Sequence, residues 1–308
     1  MIDSLNVSPT ANQKITFSEI KDETITCFIK REDLIHPVIS GNKYRKLKYN
    51  ILEAKKQNKD ILLTFGGAFS NHISATAIAG KEFGFKTVGV IRGEELESNF
   101  SDNPTLLLAQ KNGMQFYFAD RETYKNKYDN HFVQKLISIY GDFYLLPEGG
   151  TNDLAIKGCE EILTEEDNYF DFICTSAGTG GTMAGIINSS KPSQQIMGFS
   201  ALKGDFLNKE IGVFTSKTNW KVTDNYCFGG YAKVNKELIE FINSFKKETH
   251  IALDPVYTGK MMFGITDLIK QGCFPKYSRI LAVHTGGLQG IVGMNLQLQK
   301  KNLPLIEL

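Results

Sequence analysis

The sequence lacks the features that mark secreted, membrane-spanning and metal-binding proteins. Its five cysteines are dispersed and never form a C-x-x-C pair, which favours reduced thiols over a disulfide framework. Its five histidines are also scattered, so no metal site is predicted. The N-terminal segment has no apolar core of signal-peptide length, and no apolar run approaches the length of a membrane span. We therefore expect a cytoplasmic protein that does not enter a membrane.

An excess of charge of one sign is also absent. Lysine and arginine together number 35 and aspartate and glutamate 34, so the net charge of +1 gives no field that would attract nucleic acid or an anionic membrane. The basic run Lys43-Tyr44-Arg45-Lys46 is therefore interpreted as a solvated helix face rather than as a polyanion site. The lysines assigned to that face are Lys46, Lys48, Lys55 and Lys56.

What the chain does contain is a regular alternation of short β-branched or aromatic runs with helical patterns. With 42% hydrophobic residues over 308 positions, it can form a sizeable core in one large domain or two medium ones. The alternation predicts an α/β fold whose parallel sheets are covered by helices on both faces. No linker rich in proline, glycine or serine appears, so a second domain would be embedded in the first. The predicted strands are 61–65, 87–91, 115–118, 142–146, 170–175, 196–200 and 279–283, and the clearest helices are 104–113, 235–247 and 259–271.

Lys43 occupies an unusual place in one of the predicted helices. Apolar residues step by three and four through this segment, at Tyr44, Leu47, Ile51 and Ala54, which predicts an amphipathic helix. Lys43 then lies in the first turn, where the helix dipole disfavours a positive charge. A lysine at this place is either poorly positioned or required as a neutral amine.

The glycine-rich turn over residues 176–182 is the most specific motif of the chain. It joins a predicted strand to a predicted helix, and its glycines let backbone N–H groups approach an anion at the helix N-terminus. It lacks the Gly-Lys-Ser/Thr end of a P-loop, and Met183 stands where a dinucleotide fingerprint needs its third glycine. We interpret it as a phosphate-binding turn, while a turn that only packs the helix on the sheet stays open.

Three other turns also carry polar groups at the ends of strands or helices. Ser70-Asn71-His72 suits a small carboxylate, although Ser70 or Asn71 could simply be an N-cap. Thr285 offers a hydroxyl after a strand, and Tyr257 precedes a helix, where a core or capping role is equally compatible with the pattern. A neutral amine, a phosphate-binding turn, a carboxylate-sized helix start and a hydroxyl at a strand end together suggest pyridoxal phosphate.

Five motifs of the chain, taken together, resemble those of the 1-aminocyclopropane-1-carboxylate (ACC) deaminase/D-cysteine desulfhydrase family. These are pyridoxal-phosphate enzymes of the tryptophan-synthase-β fold type (fold type II). The motifs occur in family order and span residues 40 to 287, nearly the whole chain. They are S-G-N-K-Y-R-K-L at 40–47, G-G-A-F-S-N-H at 66–72, S-A-G-T-G-G-T at 176–182, L-D-P-V-Y-T-G-K at 253–260 and H-T-G-G at 284–287.

The resemblance implies a set of cofactor-binding residues. Lys43 would bind pyridoxal 5'-phosphate covalently as a Schiff base and later move the proton of the substrate's α-carbon. Asn71 would hydrogen-bond the 3-oxygen of the cofactor, and Thr285 would lie against its pyridine nitrogen. The phosphate would be held by Gly178, Thr179, Gly180, Gly181 and Thr182.

The resemblance also implies substrate contacts and an architecture. Ser70, Asn71 and His72 would bind the substrate carboxylate, with Ser70 having a catalytic part as well. Tyr257 would face the substrate, and Tyr231 would match a further active-site tyrosine. The implied fold has a small α/β domain over residues 46–153, inserted in a large cofactor-binding domain made of residues 1–45 and 154–308. The implied assembly is a homodimer.

Three positions bear on which reaction the chain catalyses. By the resemblance, ACC deaminases carry a glutamate in place of Thr258, an apolar residue in place of Thr285, and commonly a glutamine in place of His72. All three departures favour D-cysteine desulfhydrase, which forms pyruvate, ammonia and hydrogen sulfide by α,β-elimination.

Other functions stay open at this point. ACC deaminase is the alternative, and D-serine or another β-substituted alanine could also be the small amino-acid substrate. The preference for a D-amino acid rests on the resemblance alone. A non-catalytic ligand-binding protein on the same fold, and a sugar-phosphate or nucleotide enzyme, are the readings from other classes.

Overall fold

A computed structural model describes Leu5 and residues 8–39 and 41–308 of the chain. Ser40, the first residue of the S-G-N-K motif, lies outside the described residues, as do residues 1–4, 6 and 7 at the start of the predicted large domain. In the described part, the backbone forms two separate sheets. The predicted α/β class with two parallel sheets is confirmed.

The first sheet has six strands in the order β1-β2-β10-β7-β8-β9. All neighbours are parallel except β1 and β2, which pair antiparallel. The central strand β10 reads RILAV and is buried beyond its first residue, as expected for a strand covered on both faces. The strands are β1 (Asn12–Lys14), β2 (Thr26–Lys30), β7 (Phe172–Ala177), β8 (Gln195–Ser200), β9 (Trp220–Thr223) and β10 (Arg279–Val283).

The second sheet has four strands, all parallel, in the order β5-β4-β3-β6. Its strands are β3 (Ile61–Gly66), β4 (Lys86–Arg92), β5 (Met114–Ala119) and β6 (Tyr144–Leu146). They all come from the middle of the chain, whereas the strands of the first sheet flank them on both sides. The domain boundaries drawn from the sequence stay a prediction.

Eleven α-helices connect and cover these strands in the described part of the chain. In α9, Leu238, Ile242 and Phe245 form a buried stripe at helical spacing. In α3, Asn103 caps the first turn and Pro104 begins it, as predicted. The helices are α1 (Asn42–Lys56), α2 (Asn71–Phe83), α3 (Pro104–Lys111), α4 (Arg121–Lys125), α5 (Asn130–Tyr140), α6 (Asp153–Glu160), α7 (Gly181–Ser189), α8 (Phe206–Gly212), α9 (Lys236–Thr249), α10 (Thr258–Lys270) and α11 (Gly290–Lys300).

The six-stranded sheet carries a hydrophobic core on each of its faces. Successive residues of a strand point to opposite faces, so Ala282 packs among the apolar residues of α9, α10 and α11, and Leu281 packs with α6 and α7. The predicted two-sided cover of this sheet is therefore confirmed. None of the helices in the described ranges combines the length and apolarity needed to cross a membrane.

The interpretation of α1 as a helix with a solvated basic face was wrong for most of that face. Arg45, Lys46 and Lys48 are buried, because α1 packs between α2 and α6. Arg45 pairs with Glu32 at 2.9 Å, and Lys48 pairs with Glu161 at 2.8 Å. Only the end of the helix follows the prediction, with Lys56 exposed.

Candidate active site

One cleft collects the polar turns that the sequence singled out. Its empty space, counted out to the open mouth, is about 710 Å³. It lies where β3 of the four-stranded sheet and β7 and β10 of the six-stranded sheet end, which is where α/β sheets bind ligands. Every predicted site residue lines it: Lys43, Ser70, Asn71, His72, Gly178, Thr179, Gly180, Gly181, Thr182, Tyr231, Tyr257 and Thr285.

Lys43 is the second residue of α1 and lies in its first turn, as predicted. The helix begins close to the backbone of the turn after β10, since the Asn42 N–H donates to the Thr285 carbonyl at 3.2 Å. Burial lowers the pKa of the Lys43 amine to about 7, and the charge of Lys46 acts in the same direction. A large share of Lys43 is therefore the neutral, nucleophilic amine near neutral pH.

The glycine-rich turn leads directly into α7. Gly180 caps the helix with a φ of 77°, and no side chain of the described residues caps its first N–H groups. A Cβ on Gly181 would come within 2.8 Å of the Thr151 side chain and 3.3 Å of the Lys46 ammonium. The turn thus offers uncapped backbone donors at a helix N-terminus, where a larger residue would have to displace these side chains, which suits a phosphate.

Lys46 is the residue of this site that the sequence interpretation missed. Its ammonium is buried against the turn and donates to the Gly149 carbonyl at 3.0 Å, to Thr151 Oγ1 at 2.9 Å and to Thr179 Oγ1 at 3.5 Å. It adds a positive charge beside the uncapped N–H groups of α7. The signal in the sequence is its spacing from Lys43, because residues three apart share a helix face.

The turn after β3 places its polar residues in different surroundings. Ser70 caps α2, although its Oγ accepts from the Ile73 N–H at a long 3.4 Å. The Asn71 Oδ1 atom is buried and has no hydrogen-bond partner among the described residues. Buried polar atoms are rarely left without a partner, so this amide is arranged for a ligand.

His72 is held as a neutral imidazole at the wall of the cleft. Its Nε2 lies 2.9 Å from the Thr64 hydroxyl, which in turn lies 3.0 Å from the Leu146 carbonyl. The Thr64 hydroxyl lies within hydrogen-bond distance of both groups, so the tautomer of His72 decides whether Nε2 donates to it or accepts from it. Nδ1 is buried without a partner in the described structure. Burial, with Lys43 and Lys46 nearby, lowers the pKa of His72 well below its usual value.

The strand-end hydroxyls in the cleft are those of Ser176 and Thr285, whose oxygens lie 3.2 Å apart. Thr258 is not among the lining residues, because its hydroxyl donates to Asp254 Oδ1 at 2.7 Å. The argument from Thr258, which stands where ACC deaminases carry a glutamate, therefore loses its support, whereas Thr285 does line the cleft. No aspartate or glutamate of the described ranges lines the cleft.

Two tyrosines close one side of the cleft. The rings of Tyr231 and Tyr257 meet edge to face, with centroids 6.2 Å apart. Burial raises the pKa of Tyr257 well above its usual value, as does the neighbouring Tyr231. Tyr257 packs against the glycine turn, since a side chain on Gly178 would lie 3.1 Å from its ring. Tyr231 is 45% exposed, which puts it at the mouth.

These residues fit pyridoxal phosphate. The uncapped start of α7 and the Lys46 ammonium suit its phosphate, the Lys43 amine suits its aldehyde, and the unpartnered Asn71 amide suits a polar ring substituent. The described residues contain no group of three or more His, Cys, Asp or Glu side chains that could hold a metal ion. The five cysteines are free thiols in this structure.

Comparison with known proteins gives a consistent result. Residues 5–286 match the family described as pyridoxal-phosphate dependent enzyme. The chain is 32% identical over 292 residues to a putative ACC deaminase of Pyrococcus horikoshii, with 85% of each chain covered. It is 31% identical over 293 residues to a bifunctional D-cysteine desulfhydrase/ACC deaminase of Arabidopsis thaliana, a mitochondrial protein, covering 86% of this chain and 73% of that one.

Solved structures share the architecture over almost the whole chain. The crystal structure of an ACC deaminase homologue matches with a TM-score of 0.80 and 27% identity, covering 97% of this chain and 98% of the other. A hydrogen sulfide-producing enzyme of Fusobacterium nucleatum matches with a TM-score of 0.67 at 16% identity, covering 92% and 95% of the two chains, and shows the fold alone.

Proposed function

This chain belongs to the pyridoxal-phosphate-dependent enzymes of the ACC deaminase/D-cysteine desulfhydrase family, and from that premise we propose that it catalyses the α,β-elimination of D-cysteine. One D-cysteine and one water would give pyruvate, ammonia and hydrogen sulfide. The observation that carries the proposal is the absence of any carboxylate from the described lining of the cleft.

The chemistry of the cleft supports elimination over opening of a cyclopropane ring. Pyridoxal phosphate, when bound, withdraws electrons from the α-carbon of an amino acid. A carboxylate beside its pyridine nitrogen would strengthen that effect, whereas the hydroxyls of Ser176 and Thr285 carry no charge to do so. A thiol is a good leaving group, so its loss demands less electron withdrawal than breaking a carbon–carbon bond does.

The proposed catalytic roles follow from protonation states. Lys43, with its pKa lowered to about 7, would take the proton from the α-carbon of the substrate. Tyr257, with its pKa raised well above the usual value, stays protonated and would donate a hydrogen bond to the departing sulfur. The Ser70 hydroxyl and the first N–H groups of α2 would bind the substrate carboxylate, which the helix dipole favours.

His72 would contact the substrate together with Ser70 and Asn71. Its Nδ1 is buried without a hydrogen-bond partner among the described residues, while Nε2 lies 2.9 Å from the Thr64 hydroxyl. The three residues together would bind the substrate carboxylate.

The cofactor would be held at its two ends by different elements. The uncapped N–H groups of α7, the Thr182 hydroxyl and the Lys46 ammonium would bind the phosphate. The Asn42 side chain supports this arrangement by donating to Thr182 Oγ1 at 2.7 Å. Asn71 would bind the 3-oxygen, and Thr285 would lie at the pyridine nitrogen.

The test is a substrate panel on the purified yellow protein. D-Cysteine, L-cysteine and ACC are incubated separately, and pyruvate, 2-oxobutyrate and sulfide are measured. Pyruvate and sulfide from D-cysteine alone are the expected result. Thr285→Val should then change the rate of elimination, while the matched control Thr258→Val should affect stability only. Formation of 2-oxobutyrate from ACC by the wild type would overturn the argument from the missing carboxylate.

ACC deaminase is the second candidate. It is favoured by the similarity to putative ACC deaminases of Pyrococcus horikoshii, Pyrococcus furiosus and Thermotoga maritima, at 31–32% identity. The same panel distinguishes the two reactions, because only ring opening of ACC gives 2-oxobutyrate.

We extend the proposal to the assembly and its location. Phe69, in the turn before α2, and Val292 and Leu296, on α11, are exposed apolar residues. The Phe69 ring lies against Gly293 of α11 and so joins these residues into one patch. Such a patch is compatible with a homodimer contact, which sedimentation of the pure protein would test against a monomer mass. We also propose the division into a 46–153 domain and a 1–45 plus 154–308 domain, and a cytoplasmic location.

A further inference from the structure

The loop that carries Tyr231 has an unusual backbone. Four of its residues have positive φ angles: 52° at Phe228, 89° at Gly229, 118° at Gly230 and 54° at Ala232. Glycine adopts such angles readily, but Phe228 and Ala232 do not, because the left-handed region brings Cβ too close to the backbone. Contacts from outside the loop must therefore hold residues 227–232 in this conformation.

The main polar contact from outside comes from Lys260. Its ammonium donates to the Cys227 carbonyl at 2.8 Å and to the Gly230 carbonyl at 2.8 Å. The same two carbonyls also accept from the nearby backbone N–H groups of Gly230 and Lys233, at 3.0 and 3.2 Å respectively. One ammonium group thus binds two carbonyls of the loop at once. A second contact from α10 is apolar: the Phe228 ring packs on Phe263, with ring centroids 5.0 Å apart.

Lys260 lies where a lysine is costly to place. It is 1% exposed, and it belongs to the first turn of α10, where the helix dipole disfavours a positive charge. Burial lowers its pKa to about 8, so the environment works against its charge. A buried apolar residue would fill the same place without these costs, but it would remove the two hydrogen bonds that tie the loop carbonyls to α10.

The position of Lys260 also relates the two tyrosines of the cleft. Tyr257 is the N-cap residue of α10, three residues before Lys260, and Tyr231 follows Gly230 directly in the loop. We propose that Lys260 is the positioning residue of Tyr231: it fastens residues 227–232 to α10 and so sets the Tyr231 ring against Tyr257 at the mouth of the cleft. The kinetic part of this inference rests on the proposed function, whereas the structural part does not.

The structural test is hydrogen exchange on the holoenzyme. Lys260→Met keeps the length of the side chain but removes its donors, and it should speed exchange of the Gly230 and Lys233 amides at least tenfold. The β7 amides should stay as in the wild type. Lys270→Met, at the exposed end of the same helix, is the matched control and should change nothing in the loop. Unchanged exchange in Lys260→Met would overturn the proposal.

The wild type gives a second test that needs no substitution. As pH rises through about 8, Lys260 loses its charge and its hydrogen bonds to the loop weaken, so loop protection should fall relative to β7 amides. The titratable groups acting on Lys260 are Cys227 and Asp254. In Lys260→Arg, which stays charged, this fall should disappear. A fall of equal size in the wild type and in Lys260→Arg would contradict the inference even if Lys260→Met failed to fold.

Kinetics separate positioning from general stability. The test compares the double variant Lys260→Met/Tyr231→Phe with the two single variants. If Lys260 acts through Tyr231, the double variant should lose less kcat/KM for D-cysteine than the product of the two single fold-losses. Effects that multiply fully would show that Lys260 does not act through Tyr231. An enzyme inactive on D-cysteine would end the proposed function but leave the exchange tests decisive.

Discussion

At the scale of single residues, Lys43 is set apart by its surroundings. An ordinary lysine with a pKa of about 10.4 is neutral in roughly one molecule in 2,500 at pH 7, whereas a pKa of about 7 makes half the molecules neutral. We therefore predict that the rate at which the apoenzyme takes up pyridoxal phosphate rises with pH to a midpoint near 7 and is flat above about 8. Stopped-flow absorbance of the yellow product measures this rate.

The same group should affect the stability of the apoenzyme. A lysine whose pKa is lower in the folded than in the unfolded protein contributes stability that is complete above the unfolded pKa and is lost as pH falls through the folded one. Unfolding free energy should thus rise between pH 7 and 10, and this slope should decrease in Lys43→Met. Both predictions fail together if Lys43 has the pKa of an ordinary lysine. In that case the rate of pyridoxal-phosphate uptake would still rise steeply above pH 9.

The Lys46 ammonium gives a second prediction, since it lies beside the turn proposed to hold the phosphate. Lys46→Met should weaken pyridoxal-phosphate binding by about 10- to 100-fold, the effect of losing a charged hydrogen-bond donor. Binding of pyridoxal, which has no phosphate, should change far less. Titration of the apoenzyme measures both affinities.

Lys48→Met is the matched control for this substitution. Lys48 lies on the same helix but pairs with Glu161, away from the cleft. It should lose stability without selective loss of phosphate affinity. Equal losses for pyridoxal and pyridoxal phosphate in Lys46→Met would mean that Lys46 supports the fold rather than the phosphate.

Thr64 gives a third prediction, because it fixes the orientation of His72. Thr64→Val removes a buried hydroxyl that serves both His72 Nε2 and the Leu146 carbonyl, and should cost about 1–3 kcal/mol of stability. KM for the substrate should rise more than kcat falls. Thr76→Val is the control, since the Thr76 hydroxyl is buried without a partner. If both variants behave alike in denaturant titrations and kinetics, the Thr64–His72 bond contributes nothing.

At the scale of elements, the start of α1 depends on close contact with the turn after β10. Gly41 has a φ of 65°, and a side chain there would lie 1.9 Å from the Thr285 carbonyl oxygen. Gly41→Ala should push the two turns apart, lower the unfolding temperature and weaken cofactor binding, because Lys43 and Thr285 belong to those turns. Thermal melts and absorbance titration measure the two effects.

Gly84→Ala separates backbone strain from this collision. Gly84 has a φ of 79° but open space around it, so its substitution should cost only the strain, about 1–2 kcal/mol, and leave cofactor affinity intact. If Gly41→Ala costs no more than Gly84→Ala, the contact between α1 and the β10 turn is not tight.

Much of the element pattern could be predicted from the sequence where buried strands are strongly apolar. Strand β10 begins and ends where periodicity and composition put it, at Arg279–Val283. Strands β1, β2 and β9 were not predicted, because β1 and β9 have only three or four residues and β2 has only three apolar residues between polar ends. Their pairing is stabilised by neighbours distant in sequence, which a local pattern does not contain.

The site was predictable where chemistry follows local sequence. The Lys43 amine, the glycine turn and the Ser70 cap follow from backbone geometry and helix electrostatics within a few residues. The roles of Lys46 and of the Thr64–His72 pair could not be predicted from local sequence. They depend on segments about 100 and 80 residues away, at Gly149 and Leu146. Thr258 shows the opposite error, because a partner four residues away turns its hydroxyl from the cleft.

At the scale of the whole molecule, the cleft takes residues from both sheets. Lys43, Ser70 and Asn71 belong to helices beside the four-stranded sheet, whereas the glycine turn and Thr285 follow strands of the six-stranded sheet. A ligand that contacts both sides stabilises the folded protein by its binding free energy, about 4 kcal/mol at a thousandfold excess over Kd. At about 2–4 °C per kcal/mol, the apoenzyme should melt roughly 8–16 °C below the holoenzyme at that excess.

The distribution of this stabilisation tests the bridging role of the cleft. If pyridoxal phosphate joins the two sheets, its removal should speed hydrogen exchange in both β3 and β7, because opening either sheet from the cleft then breaks contacts to the same ligand. Inorganic phosphate added to the apoenzyme should restore protection near α7 and leave β3 unprotected, since phosphate lacks the groups that Lys43 and Asn71 would bind. If cofactor removal speeds exchange in β7 alone, the cofactor stabilises only the six-stranded sheet and does not bridge the two. The stability of the four-stranded sheet would then come from its own hydrophobic core.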